Sequence, residues 1–468
     1  MKNVYRKWYA HRITLGILLI CLLVGGANAL MNDENGKHDA DENGLSNEDI
    51  QKLYKGKNAL GHIEQLVNVG PRVAGGDAEK KAAKYISRKM VSYGLDVTIQ
   101  KFPILYFEDK GSTLKVVNGH SLNPNTLFYS PSGEITAQIA DCGLGYPENF
   151  TTCGASGKIA LIQRGEIFFW QKVQNAANAS ALAAIIYNNQ QGNFTGTLTF
   201  VTDIPAVGVN DTEGKYLVKL LKRKTVTGKI KVDTITENRT SQNVIGTMKG
   251  KDPEKGIVYL GGHYDSVSSS PGANDDASGI GAMLETARLL STYKYKNKAT
   301  LNFIAFGSEE TGLDGSFNYI EKNRKEVSAK GIGMINLDMI GVGGKRLIGN
   351  IDNNSSNLTN YTRNKASAMN LGWKPFTAEA NSDHTYFEEA GVPAVFIYQS
   401  EDPWYHTSND TIDKINKVKL EKNGELATAT IYGWAKNPQQ RAKSGMPAGA
   451  ASSLKKASVH HDILYSEE

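Results

Sequence analysis

"YLGGHYDSVSSSPGANDDASGIGAMLETARLL", residues 259–290, lies a little past the middle of a chain of 468 residues. An apolar run, Ile257 to Leu260, leads into it, and Gly261, Gly262, Pro271 and Gly272 punctuate it. It closes on small residues, with Ile280, Met283, Leu284 and Ala287 at helical spacing. This reads as a strand, a loop and a helix. His263, Asp265, Asp275 and Asp276 then fall on loops at the C-terminal end of the strand. In open α/β sheets that edge is where ligands bind.

The same arrangement recurs downstream. "TLNFIAFGSEE" ends in Glu309 and Glu310, "GIGMINLDMIG" carries Asp338, and the strand "VPAVFIYQSE" precedes "PWYHTSND" with His406. Each would be ordinary alone, since an Asp after a strand is commonly a cap and a Glu pair can open a helix. Jointly they bring acidic and imidazole groups to one sheet edge. Crowded carboxylates raise one another's pKa and cost stability, and a divalent cation removes that cost. Imidazole and carboxylate without thiolate suit a catalytic zinc more than a structural one. Two histidines and three or more carboxylates exceed the needs of one tetrahedral ion with an open position. They suit two ions about 3.5–4 Å apart sharing a carboxylate and a water.

The ends of the chain read differently. Lys2, Arg6, Lys7 and Arg12 precede an apolar run from Ile13 to Gly26, and Ala27-Asn28-Ala29 has a small-x-small form. The run is shorter than the ~20 apolar residues of a membrane span. Residues 1–29 are expected to be a signal peptide cleaved after Ala29, leaving a secreted protein with no stable membrane anchor. That segment holds four cations and no anion, so the formal charge of +5 becomes +1 without it. Such a balance carries no footprint for nucleic acid. Cys142 and Cys153 remain after cleavage. In an exported protein they are expected to form a disulfide. Residues 30–45 read as an acidic linker and 438–468 as a low-complexity, disordered tail.

Between those ends, residues 48–67 look helical, and a turn, a helix and a strand follow. Strand-like pieces with one helix, "FWQKVQNAANASALA", dominate 108–235. An α/β rhythm then resumes, with helices expected at 277–292, 315–329 and 415–435. One α/β domain in two segments, 46–107 and 236–437, with a β-rich insert at 108–235 accounts for this order. An insert joined to the scaffold at both ends cannot swing far, and it is expected to overhang the metal site.

"GGHYDS", "GANDDASG", "GSEETGLDGS", "NLDMIG", "SDHTYF" and "YHTSNDT", in that order, closely resemble the co-catalytic di-zinc aminopeptidases of metallopeptidase family 28. The resemblance covers 46–105 and 236–437. The insert, with "DCGLG", "GKIALIQRGEIFFWQKVQNAANASALAAIIYNN" and "IPAVGV", resembles a protease-associated (PA) domain. The resemblance implies the zinc exopeptidase fold, an α/β class with a mixed, mostly parallel sheet and helices on both faces. It implies two Zn2+ per chain, with His263 and Asp338 on one, Glu310 and His406 on the other, and Asp275 bridging both. Glu309 would be the general base toward a metal-bridging water, a split between the two glutamates that the residues alone leave open. Asp265 would fix the tautomer of His263, and Tyr405 would donate to the oxyanion. The peptide bond between Asp275 and Asp276 would be cis.

The function implied is a secreted zinc-dependent aminopeptidase, a monomer acting on peptides or proteins with a free N-terminus. Two departures stand out. Asn381 occupies a position where many relatives have Arg, and Ser408-Asn409-Asp410 follows His406 where many have Cys. Three alternatives share the fold. A glutamate-carboxypeptidase-like exopeptidase would need a basic pocket, and the motif loops show no arginine cluster. A catalytically inactive receptor or scaffold relative, or a single-zinc cyclotransferase-like one, would not be expected to keep the full set of ligands and base.

Overall fold

The computed structural model describes residues 44–293, 298–351 and 357–438. The expectations for residues 1–29, for the linker up to 43 and for the tail beyond 438 lie outside the described residues.

Ile257–His263 runs parallel to Thr300–Phe306 on one side and to Gly331–Leu337 on the other. Ala394–Gln399 lies parallel beyond Gly331–Leu337. The C-terminal ends of these strands therefore share one edge, and the register sets Phe306 beside His263. Every residue of the two strands Ile257–His263 and Thr300–Phe306 is buried. Burial on both faces is why their sequences are largely apolar rather than strictly alternating. One face packs Tyr259 and Phe306 against Tyr319 and Phe387, supplied by the helices Asp314–Lys330 and His384–Glu389. The helices Gly56–Val67, Ala277–Thr292 and Lys417–Lys436 pack on one another as a separate layer. Antiparallel strands flank the parallel core, Arg346–Asn350 against Ala394–Gln399 and Thr227–Met248 against Thr300–Phe306. The sheet is mixed and mostly parallel, as expected.

Two long strands carry the chain into the insert and back. Asp96–Val116 and Thr227–Met248 pair antiparallel from Asp96↔Thr247 to Val116↔Gly228, with a bulge between Asp109 and Gly111. Glu108 and Ile235, the residues at which the insert was expected to begin and end, are partners in this ladder. Thr227–Met248 also pairs with Gly133–Asp141, so one sheet continues from the α/β domain through the insert. Within the insert, Ile159, Leu161, Ala183 and Ile185 face one apolar cluster, and Ala160, Ile162, Ala184 and Ile186 face another. Period-two alternation between two buried faces explains why both strands read as unbroken apolar runs.

Some local expectations are corrected. The insert has three helices rather than one: Pro147–Cys153, Phe169–Asn178 and Asp211–Leu221. Asn210 caps the last, accepting from the Glu213 N–H at 2.8 Å. Asn-x-x-Glu is a helix-start pattern. The helix expected at 48–67 breaks into Asn47–Leu53 and Gly56–Val67. The break is tertiary in origin, since the N–H groups of Lys55 and Gly56 donate to Glu285 and Glu421 from distant helices. The other expected helices form as Ala277–Thr292, Asp314–Lys330 and Lys417–Lys436. Cys142 and Cys153 are disulfide-bonded, with Cα atoms 5.3 Å apart. Among the described residues no helix is long and apolar enough to cross a membrane.

Helix Ala277–Thr292 follows Asp275 and Asp276 directly, so its seating sets their position. Gly281 lies where it meets Gly56–Val67: a Cβ there would sit 2.6 Å from the Ala59 carbonyl oxygen and 3.0 Å from Ile63. Gly281→Ala should gain about 1 kcal/mol of helix propensity. It should lose about 1–3 kcal/mol to overpacking against backbone that cannot yield cheaply. The expected outcome is a lower urea midpoint, and a raised midpoint would show that propensity wins.

Candidate metal centre

Six residues from four strand ends converge. His263 Nε2 lies 3.1 Å from Asp275 Oδ1 and 3.6 Å from Asp338 Oδ1. His406 Nε2 lies 3.2 Å from Asp275 Oδ2 and 3.0 Å from Glu310 Oε2. Two ligand groups result, His263–Asp275–Asp338 and Asp275–Glu310–His406, each with its donor atoms within 4.8 Å of one another. Asp275 belongs to both and offers a different oxygen to each histidine. Glu309 stands beside them, its Oε2 3.9 Å from His263 Nε2. Tyr405 stacks on His406 at 3.8 Å between ring centroids.

The donor set suits divalent cations. Asp275 Oδ2, Glu310 Oε1 and Asp338 Oδ1 are buried oxygens without a hydrogen-bond partner. Burial, together with the charges of Glu310, Asp338 and Asp383, pushes the Glu309 carboxyl well above its ordinary range. Burial and the nearby Asp275 push Glu310 up to about 7. Burial would lower the pKa of His263, but Glu309 and the contacts with Asp265, Asp275 and Asp338 raise it well above the usual value. Concentrated negative charge in a dry site is costly unless a cation answers it.

The surrounding residues divide the remaining work. Asp265 was expected to hold His263. It stands 3.6 Å from Nδ1 in an ion-pair contact, and its two oxygens also accept from the backbone N–H groups of Glu309 and Glu310 at 3.1 and 3.2 Å. One aspartate thus sets the turn that presents both glutamates. Asp276 caps the helix Ala277–Thr292 through the Gly279 N–H and also accepts from the Met339 N–H. The glycine at 262 is required by this approach, because a Cβ there would come within 2.5 Å of Asp276 Oδ2. The bond between Asp275 and Asp276 is cis.

Sequence reasoning passed over four supporting residues. Asp410 accepts from the N–H groups of Asn274 and Asp275 at 2.8 and 3.1 Å. Asn274 in turn accepts from Gly341 and Val342 and donates to Asp402. Ser382 donates to Asp338 Oδ2 at 2.8 Å. Arg72, fully buried, donates to the carbonyls of Tyr264, Pro271 and Gly272 and so cinches the loop of the opening stretch. Asp410 and Ser382 were in view within the quoted motifs, but nothing in their spacing distinguishes a clamp from a turn residue. Arg72 lies about 200 residues from its acceptors, and no local signal marks it.

Two cavities open on the cluster. One, about 490 Å³, is walled by Met339, Phe376, Phe396 and Tyr398 together with the carboxylates of Glu379, Glu401 and Asp402. The other, about 570 Å³, lies between the cluster and the insert, and Phe107, Phe128, Tyr129, Thr195 and Thr197 line its far side. Asn381 lines both. The insert therefore reaches the site.

Comparison with known proteins agrees with this geometry. Residues 243–431 match Peptidase family M28 and residues 131–217 match the PA domain. The chain is 37% identical over 409 residues to aminopeptidase YwaD of Bacillus subtilis (strain 168), covering 83% of this chain and 87% of that protein. It superposes on an aminopeptidase from Aneurinibacillus sp. strain AM-1 with a TM-score of 0.75 at 36% identity, covering 86% and 99% of the two chains. A zinc aminopeptidase from Bacillus subtilis superposes with a TM-score of 0.69 at 35% identity, covering 83% and 98%.

Asp410 offers a test of how the cluster is held. Asp410→Asn keeps the shape but turns one acceptor into a donor facing a backbone N–H. It should weaken retention of added zinc by about 10–100-fold, the usual effect of losing an outer support. Competition with a fluorescent chelator reads this directly, and unchanged affinity would show that the Asp275 backbone needs no clamp.

Proposed function

Because the chain belongs to peptidase family M28 and carries a PA insert, we propose that it is a secreted, zinc-dependent aminopeptidase that removes N-terminal residues from peptides. The observation that carries this reading is the division of the Asp275 carboxylate between two histidine-centred groups. His263 and Asp338 would hold one Zn2+, Glu310 and His406 the other, and Asp275 both. Zinc there would supply Lewis acidity toward the scissile carbonyl and lower the pKa of water near neutrality.

The protein's own groups do the rest. Glu309 Oε2 takes a proton from the attacking water and delivers it to the leaving nitrogen. Asp265 keeps that carboxylate aimed through the Glu309 N–H. The Tyr405 hydroxyl donates to the oxygen on which charge develops. The free α-ammonium of the substrate is met by the carboxylates of Glu379, Glu401 and Asp402 in the first cavity. Among the described residues neither cavity lining contains Lys or Arg. That composition favours a cationic N-terminus over the anionic C-terminus of a glutamate-carboxypeptidase-like substrate. Ligands and base present together favour an enzyme over an inactive scaffold. Secretion rests on the leader-like residues 1–29 and on the Cys142–Cys153 disulfide, a bond of oxidising compartments.

Glu309→Gln tests the assignment of the two glutamates. It keeps size and removes the base, so kcat on aminoacyl amides should fall at least ~100-fold while elemental analysis still finds two zinc ions per chain. Loss of zinc in that variant, or retained activity, would reverse the roles of Glu309 and Glu310. Prolonged chelation should abolish release of N-terminal residues from the native protein, and N-acetylated peptides should resist cleavage throughout. Activity that survives removal of the metal would refute the zinc reading.

A further inference from the structure

We propose that the cavity between the insert and the metal centre is a subsite for the second residue of the substrate, and that it selects an aromatic or large apolar side chain there. This rests on the aminopeptidase reading above. An exopeptidase that frees one residue must seat the two sides of the scissile bond in different places. The first cavity, with Met339, Phe376, Phe396 and Tyr398 beside the carboxylates of Glu379, Glu401 and Asp402, suits the N-terminal residue and its ammonium group. The second is what remains for the side that leaves, and Glu309, which must reach the leaving nitrogen, lines both cavities and so stands at their junction.

Its far wall is aromatic and preformed. The Phe107 ring lies 5.5 Å from those of Phe128 and Tyr129, tilted at 44° and 57°. Phe107 sits on the ladder that tethers the insert, paired with Thr236, so the wall cannot drift from the α/β domain. Phe128 is pinned from both sides, its N–H donating to the Gly196 carbonyl and its carbonyl accepting from the Leu198 N–H, each at 2.9 Å. Tyr129 is held at φ 67°, a conformation that bulky residues adopt only at a cost. Phe128 remains 40% exposed and faces this cavity. A second-residue side chain that covers Phe128 gains apolar burial that glycine cannot supply.

The test uses the zinc-loaded protein and three substrates, Leu-Phe-NH2, Leu-Gly-NH2 and leucinamide, with leucine release as the readout. The native protein should favour Leu-Phe-NH2 over Leu-Gly-NH2 by roughly tenfold or more in kcat/KM. Phe128→Ala should cut that ratio by about fivefold, with Phe128→Leu between, and melting temperatures report whether each variant is folded. A native ratio near one overturns the subsite. So does an unchanged ratio in either folded variant. Leucinamide separates the two levels of failure. Leucine released from leucinamide without preference between the dipeptide amides overturns the subsite alone. No leucine from any substrate overturns the aminopeptidase reading and the subsite with it.

Discussion

Asp275 gives one carboxylate oxygen to each of two histidines, and the polar structure around it serves to keep it there. Its own N–H is held by Asp410, and the residue before it, Asn274, is tied to Asp410, Gly341, Val342 and Asp402. Those bonds join the ends of three strands through one short segment. The residue after it, Asp276, caps the next helix and reaches Met339. A carboxylate that bridges two sites has no freedom to rotate, because turning it toward one histidine removes it from the other. The fold meets that demand with backbone hydrogen bonds, which are stiffer than contacts between long side chains.

Electrostatics explains the choice of supports. Asp265, Asp275, Asp276, Asp338, Asp383, Asp410, Glu309 and Glu310 occupy one small region. Arg72 is a buried arginine whose charge is felt by Asp265, Asp410, Asp275 and Asp276. One guanidinium cannot balance so many carboxyls, and two divalent cations could. The backbone bears part of the cost too. Ser308, Leu313, Met339, Glu401 and His406 all have positive φ, and all lie in the loops around the cluster. Left-handed residues of this kind cost roughly 1–3 kcal/mol each and persist where surrounding contacts overdetermine them.

The insert is bound to this centre more firmly than a domain on two linkers. The strands that lead into and out of it hydrogen-bond to each other along nearly their whole length and continue the sheet of the α/β domain. Hinge motion would have to break that ladder. The insert's aromatic residues thus face the metal centre at a set distance, and the space between them is part of the site rather than a gap between modules.

Much of this was legible in the residues alone. Strand ends rich in His, Asp and Glu announced one chemical edge, because apolar runs of strand length followed by glycine and charge have few other readings. Ala277–Thr292 was legible from its spacing, and the Cys142–Cys153 pair from the cysteine count in a chain read as exported. What the residues left open was every relation that depends on distance in space. Asp265 reads as a partner of His263 two positions away and stands beside it, but it also accepts from Glu309 and Glu310, which only the pairing of adjacent strands brings near. Arg72 lies in no quoted motif and Asp410 lies in one that does not mark it as a clamp, and their roles exist only once distant loops meet. Glu108 and Ile235 look like the ends of an insert in the sequence and are neighbours on one ladder in the fold. Local pattern reports which face a residue turns to its own element. It cannot report what lies across from that face, and in this protein the support of the metal centre and the wall opposite it are both built from such crossings.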